Sequence, residues 1–225
     1  MYKLKLKKFL ASSLFVSAFA IASFVLTSSA EAGSHSKKTF ATDNCDPLQV
    51  VIHASYGGGT DTTARMMSIR SRRTLAADMQ IVGKRGGSGA KAQNYVLTRP
   101  ADGCTIMALT ESHLYTMARG KSNMKIDDLV GIARAMEEPT FIVVNAKNKE
   151  LSTIKKFIKR SKEKPIITAI ASIGGTEHIG MYNYSTVADV PFKAVSFGSG
   201  AQSLQALASG KVEASLLNPS EAAAL

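Results

Sequence analysis

From Leu48 onward the chain repeats one local pattern: a short apolar run, a turn of glycine or small polar residues, then a stretch with helical spacing. A strand that feeds a helix and returns to the same sheet does so by a right-handed crossover, so the pattern predicts an α/β fold with parallel strands. Residues 48–53 read as a buried strand, broken by Gly57-Gly58-Gly59. Residues 62–77 carry Ala64, Met67, Leu75 and Ala76 at spacings compatible with a helix. Residues 80–83 read as a second strand, 90–97 as a helix stopped by Pro100, and 105–109 as a third strand. Near Gly131 the pattern changes to two extended runs, 132–135 and 141–144, separated by Glu137-Glu138-Pro139. Alternation then resumes: helix 153–161, strand 166–171, helix 177–186, strand 192–195, helix 201–208, strand 212–217, and a helix opening at Pro219. Two α/β units joined by an extended stretch predict two lobes, residues 47–138 and 139–225. The last helix is cut short, which leaves an apolar face uncovered and predicts a C-terminally truncated fold.

The N-terminus carries a different signal. Lys3, Lys5, Lys7 and Lys8 precede an uncharged run over residues 9–26, which ends in Ala30-Glu31-Ala32. That order predicts a secretory signal peptide over residues 1–32 and a periplasmic location. The run is long enough to anchor in a bilayer, but its serines and the cleavage pattern favour the signal peptide. No cysteine stands at the cleavage site to take a lipid. Residues 33–46 are polar and aperiodic, a flexible lead-in.

Residues 1–32 hold four of the lysines and Glu31, so the remainder keeps 24 basic and 16 acidic residues, a net of +8. A basic chain invites a nucleic-acid reading. Export and the scatter of the Lys and Arg residues argue against it, and the lysines between 155 and 164 have the spacing of a solvated helix face. A diffuse positive field favours the arrival of small anions. Two cysteines in an exported chain can pair. Cys45 precedes the first strand and Cys104 opens the third. Adjacent parallel strands lie about 4.8 Å apart, so the two strand starts can fall within the disulfide limit of about 7 Å between Cα atoms. The sequence leaves that pairing open.

Five strand-to-helix turns are candidate binding elements. The first is Tyr56, Gly57, Gly58, Gly59, Thr60 and Asp61, where glycines let backbone N–H groups approach a bound group and the following helix N-terminus favours an anion. Asp61 is placed as an N-cap, which is favoured over ligand contact, and Arg65 can pair with it. No Lys-Ser/Thr follows, so the turn is not a P-loop. The second is Ser172-Ile173-Gly174-Gly175-Thr176-Glu177-His178, where Thr176 can cap the helix and also donate its hydroxyl to a ligand, and His178 is open between ligand contact and packing. The others are Thr110, Glu111, Ser112 and His113; Phe197-Gly198-Ser199-Gly200-Ala201; and Leu217-Asn218-Pro219-Ser220-Glu221. All lie at the carboxyl ends of strands, where open α/β sheets bind ligands.

One helix dipole contributes about 0.3–1 kcal/mol, whereas micromolar binding needs about 8 kcal/mol. Several charge-assisted hydrogen bonds of about 1.5–3 kcal/mol each must therefore converge. A small ligand with one or two carboxylates fits that arithmetic better than an apolar one. His35, His53, His113 and His178 lack metal-ligand spacing, and there is no G-x-S-x-G elbow. The expectation is a binding protein without metal or cofactor, not an enzyme.

The motifs Gly57-Gly58-x-Thr60-Asp61-x-x-Ala64-Arg65, Gly86-Gly87-Ser88-Gly89, Pro100-Ala101-Asp102-Gly103, Gly174-Gly175-Thr176-Glu177-His178, Phe197-Gly198-Ser199-Gly200 and Ala208-Ser209-Gly210-Lys211-Val212-Glu213-Ala214 together carry a resemblance. In order and spacing the chain resembles the Bug/TctC-type substrate-binding proteins of tripartite tricarboxylate transporters. The resemblance implies a two-lobed, type II-like Venus-flytrap fold that holds an organic acid by backbone amides, hydroxyls and waters and delivers it to a membrane permease. It places Tyr56, Gly57, Gly58, Gly59, Thr60, Asp61, Thr110, Glu111, Ser112, Gly174, Gly175, Thr176, His178, Gly198 and Asn218 at the site. Two departures stand out. His53-Ala54-Ser55-Tyr56 replaces the family's Pro-Phe-x-Pro stretch, and members of the family continue beyond the position of Leu225 to complete the first lobe. The competing expectations are a ligand sensor docked on a membrane signalling protein and a truncated fragment without function.

Overall fold

The computed structural model describes Asn44, Cys45 and residues 47–223. The expected signal peptide and most of the lead-in lie outside the described residues. The first sheet contains β1 (Leu48–Ile52), β2 (Met79–Gly83) and β3 (Thr105–Met107) in the order β2-β1-β3, all parallel. Val50 stands opposite Ile81 on one side and Ile106 on the other. A central parallel strand is covered on both faces, which is why Leu48, Val50, Val51 and Ile52 form a nearly continuous apolar run.

The helices of this lobe are α1 (Gly59–Ser68), α2 (Ser71–Leu75), α3 (Ala90–Leu97) and α4 (Glu111–Ala118). The single helix expected over residues 62–77 is two. Arg70 adopts a left-handed conformation, φ 68°, which a right-handed helix cannot pass through. Only Asp61 and Ala64 of α1 are buried, while Met66, Met67 and Ile69 are exposed, so no apolar stripe holds a longer helix to the sheet. β3 stops at Met107 because the Leu109 N–H folds back onto the Met107 carbonyl at 3.0 Å.

The second sheet contains β4 (Phe141–Val144), β5 (Ile166–Ile170), β6 (Phe192–Ser196) and β7 (Ala214–Leu217) in the order β4-β7-β5-β6. β4 runs antiparallel to β7, and the other pairs are parallel. Its helices are α5 (Ile154–Glu163), α6 (Thr176–Ala188), α7 (Gly200–Ala208) and α8 (Pro219–Ala222). Helices α5 and α6 enclose Phe157, Ile166, Met181, Ala214 and Leu216, while α7 packs Ala206 and Leu207 on Ala169. α5 buries Phe157 and Ser161 and leaves Lys155, Lys156, Lys159 and Lys162 in solvent. The Thr153 hydroxyl opens it by accepting the Lys156 N–H.

The extended run 132–135 is not a strand. Extended backbone becomes sheet only beside a partner that takes its N–H and C=O groups. Among the described residues none flanks it, and Val130 and Ile132 are 89% and 79% exposed. At the opposite end of the first sheet Cys45 and Cys104 form a disulfide with Cα atoms 5.2 Å apart, packed with Leu48 and Ala77. Among the described residues no helix is long and apolar enough to cross a membrane.

Candidate ligand-binding cleft

Each parallel strand delivers a turn and a helix N-terminus at its carboxyl end. In four of these helices, α1, α4, α6 and α8, the side chain at the third helical position bends back onto its own loop. Asp61 accepts the Gly57 N–H at 2.8 Å, His113 Nδ1 the Thr110 N–H at 3.0 Å, His178 Nδ1 the Gly174 N–H at 2.9 Å, and Glu221 the Asn218 N–H at 3.2 Å. Asp61 is therefore not the N-cap; Gly58 is, and Asp61 stands at the third helical position, where Arg65 also pairs with it. Thr176 does not cap α6 either. Gly175 holds that place and Thr176 is the first helical residue. His178 closes its turn and packs edge-on against Phe192, with ring centroids 6.0 Å apart.

These turns meet across the two sheets. The Ser112 hydroxyl accepts the Thr176 N–H at 3.0 Å and lies 3.1 Å from the Thr176 hydroxyl. Ser88 donates to the Ile173 carbonyl at 2.6 Å, and Ser55 to the Gly198 carbonyl at 3.2 Å. Two glycines permit the approach. A Cβ on Gly58 would stand 3.2 Å from the Ser199 Cβ, and one on Gly175 would stand 2.9 Å from the Ser112 hydroxyl. Asn218 donates to the Pro139 carbonyl at 3.1 Å beside the same cleft. Tyr56 is directed elsewhere: its hydroxyl accepts the Gly83 N–H at 3.0 Å and its ring lies under Arg65. Glu111 is exposed in the first turn of α4.

The electrostatics of the cleft are uneven. Burial raises the Asp61 carboxyl, but the hydrogen bonds from Arg65 and Gly57 and the Arg65 charge outweigh it and hold the group below its ordinary range. Burial pushes Glu177 up to about 7, helped by the charge of Glu221, and one of its carboxylate oxygens is buried without a partner. Burial and then Glu138 raise Glu221, against backbone hydrogen bonds from Asn218 and Gly59. Beneath the first turn His53 and His113 touch edge to face, centroids 4.2 Å apart. Burial lowers His53 to about 4; burial and then His53 lower His113 to about 3. Both are neutral imidazoles at physiological pH, suited to packing and hydrogen bonding, not to charge.

Sequence reasoning passes over several residues that reach the cleft. Ser55, Ser88 and Gln202 make or receive contacts between the sheets, Arg119 lies on Gly174, and Arg85 lies on Gly198. Ser88 had the same signal as the chosen turns, a glycine-rich segment between strand and helix. The arginines carried none, because only the crossing of the chain from one sheet to the other brings them there. Among the described residues no group of three or more His, Cys, Asp or Glu is placed to hold a metal ion.

Two α/β lobes whose glycine-rich turns converge from the carboxyl ends of their strands define a two-lobed binding protein of the periplasmic type. The chain belongs to the TctC family, the receptors of the tripartite tricarboxylate transporter family, whose model matches residues 63–224. It is 25% identical over 141 residues to Protein BugT of Bordetella pertussis, an alignment covering 59% of this chain and 42% of BugT. MatC from Rhodopseudomonas palustris, solved with bound malate, superposes with a TM-score of 0.70 at 22% identity, covering 79% of this chain and 62% of MatC. An R. palustris protein solved with adipate gives a TM-score of 0.65 at 22% identity, covering 78% and 60%. The chain thus spans under two thirds of the length of these relatives.

Proposed function

We propose that this chain is an extracytoplasmic solute-binding protein that captures a small organic carboxylate between its lobes for a tripartite tricarboxylate-type permease. The observation that carries the reading is the convergence, from both sheets, of the turns at Gly57–Gly59, Thr110–Ser112, Gly174–Thr176 and Gly198–Gly200. These supply backbone N–H groups, hydroxyls and helix N-termini, the groups that replace water around a carboxylate. MatC and the adipate-bound relative carry dicarboxylic acids in the same fold. Members of this receptor family work outside the cytoplasm, in keeping with the basic, then apolar N-terminal segment and with the Cys45–Cys104 disulfide. Among the candidate residues, Gly58, Gly59, Ser112, Gly174, Gly175, Thr176, Gly198 and Asn218 reach across or edge the cleft.

Titration calorimetry against mono-, di- and tricarboxylates, with an apolar amide as control, tests the reading. Saturable binding of a carboxylate with no binding of the amide is expected. A folded chain that binds none of the acids overturns it. Expression with the native N-terminus, followed by fractionation and mass measurement, tests export: the expected product is periplasmic and lacks residues 1–32, and a cytoplasmic, full-length product overturns that part.

A further inference from the structure

The lobes bring a carboxylate of their own to the place where two helices point their amides. Gly59 is the first residue of α1 and Gly200 the first of α7, one from each lobe. A Cβ on Gly59 would stand 3.0 Å from Glu221 Oε1, and one on Gly200 would overlap the Glu221 carboxyl group. Glu221 Oε2 accepts the Asn218 N–H at 3.2 Å. The side chain therefore lies against the starts of α1 and α7, with the Gly59 N–H as a further donor, a setting that favours an anion. The nearby titratable groups are also acidic: Glu138, held by the Ser220 hydroxyl at 2.6 Å, and Glu177, which has a buried carboxyl oxygen without a partner. The other end of the cleft differs. There Arg119 rests on Gly174, beside the Ser112 and Thr176 hydroxyls.

We propose that Glu221 is a specificity-determining residue that fills the anion position at the starts of α1 and α7 with its own side chain, so that the chain selects monocarboxylates over dicarboxylates. This rests on the carboxylate-binding reading above. A ligand carboxylate is then confined to the Ser112–Thr176–Arg119 end, and the remainder of the ligand faces Glu221 and Glu177. A second ligand carboxylate would have to expel Glu221 from its amides and stand beside the acidic Glu138 and Glu177 side chains, which opposes it.

Calorimetry of the wild-type chain, Glu221→Gln and Glu221→Ala with propionate and butyrate against succinate and adipate tests this. The Gln variant keeps the shape of the side chain and guards against a folding defect in the Ala variant. The wild-type chain is expected to prefer the monocarboxylate by at least about tenfold, one carboxylate's worth of charge-assisted bonding. In both variants the dicarboxylate gains at least about tenfold while the monocarboxylate changes less than about threefold. A wild-type chain that prefers the dicarboxylate, or a ratio unchanged in both variants, overturns this inference alone. Absence of any binding by all three folded chains overturns it together with the carboxylate reading.

Discussion

Ser112 at the start of α4 accepts the Thr176 N–H at the start of α6 at 3.0 Å, which ties the N-terminus of a helix on one sheet to a side chain carried by the other. Gly175 makes the contact possible, since a Cβ there would crowd the Ser112 hydroxyl. Replacing Ser112 by Ala leaves a helix-terminal N–H without its acceptor, at a cost of about 1–3 kcal/mol where it is shielded from water. The expected result is a lower urea midpoint with an unchanged m-value, and ligand affinity reduced about fivefold or more because the joined state is less populated. An unchanged affinity would show that this bond does not hold the ligand-bound arrangement.

Asp61 holds the first glycine turn. It is 2% exposed and takes the Gly57 N–H and the Arg65 guanidinium. Asp61→Ala strips both partners and is expected to destabilise the chain by about 2–3 kcal/mol. Arg65→Ala is also expected to destabilise the chain, because it leaves the buried Asp61 carboxylate without its charged partner. Chemical denaturation of the two variants checks this; an Arg65→Ala chain as stable as the wild type would contradict it.

The Cys45–Cys104 bond joins the starts of β1 and β3 across a sequence separation of 59 residues. A loop of that length corresponds to about 4 kcal/mol of unfolded-state entropy in the chain-entropy treatment. Reduction with dithiothreitol, or the double variant Cys45→Ser/Cys104→Ser, is expected to lower the denaturation midpoint substantially. A midpoint insensitive to reductant would mean that the first sheet does not depend on the crosslink.

The burial of His53 and His113 makes stability depend on pH. Both imidazoles titrate below their unfolded value of 6.5, His53 at about 4 and His113 at about 3. The unfolded chain therefore binds more protons between those values. The stabilisation is complete above pH 6.5 and is lost as pH falls through 4 and then 3, by at most about 1.4 kcal/mol per histidine per pH unit. Glu177, raised to about 7, has the opposite sign: its contribution is complete below its unfolded value and fades as pH rises toward 7. Unfolding free energies are expected to fall from pH 7 to pH 5 in the wild-type chain, and to fall more steeply in Glu177→Gln, which removes the opposing group. A shallower dependence in that variant would refute the assignment.

Local chemistry made much of this molecule legible in its sequence. Apolar runs such as Val50-Val51-Ile52 and Ile166–Ile170 mark buried parallel strands because both of their faces are covered, and glycines mark the turns at their carboxyl ends because only those turns need close backbone approach. The alternation determined an α/β fold, and the joint spacing of the motifs determined the family. The caps fall three positions before Asp61 and one before Thr176, because a glycine with extended backbone can serve as N-cap and leave the next side chains free to fold back. The break at Arg70 and the unpaired run at 132–135 were hidden too, since a left-handed residue and a missing neighbour strand leave no periodic trace. What only the tertiary structure decided is which groups face each other between the lobes. Ser112 with Thr176, Ser55 with Gly198, Arg119 on Gly174 and Glu221 over Gly59 and Gly200 pair residues far apart in the chain or on separate turns. Their meeting is set by the packing of two sheets, which no local pattern encodes.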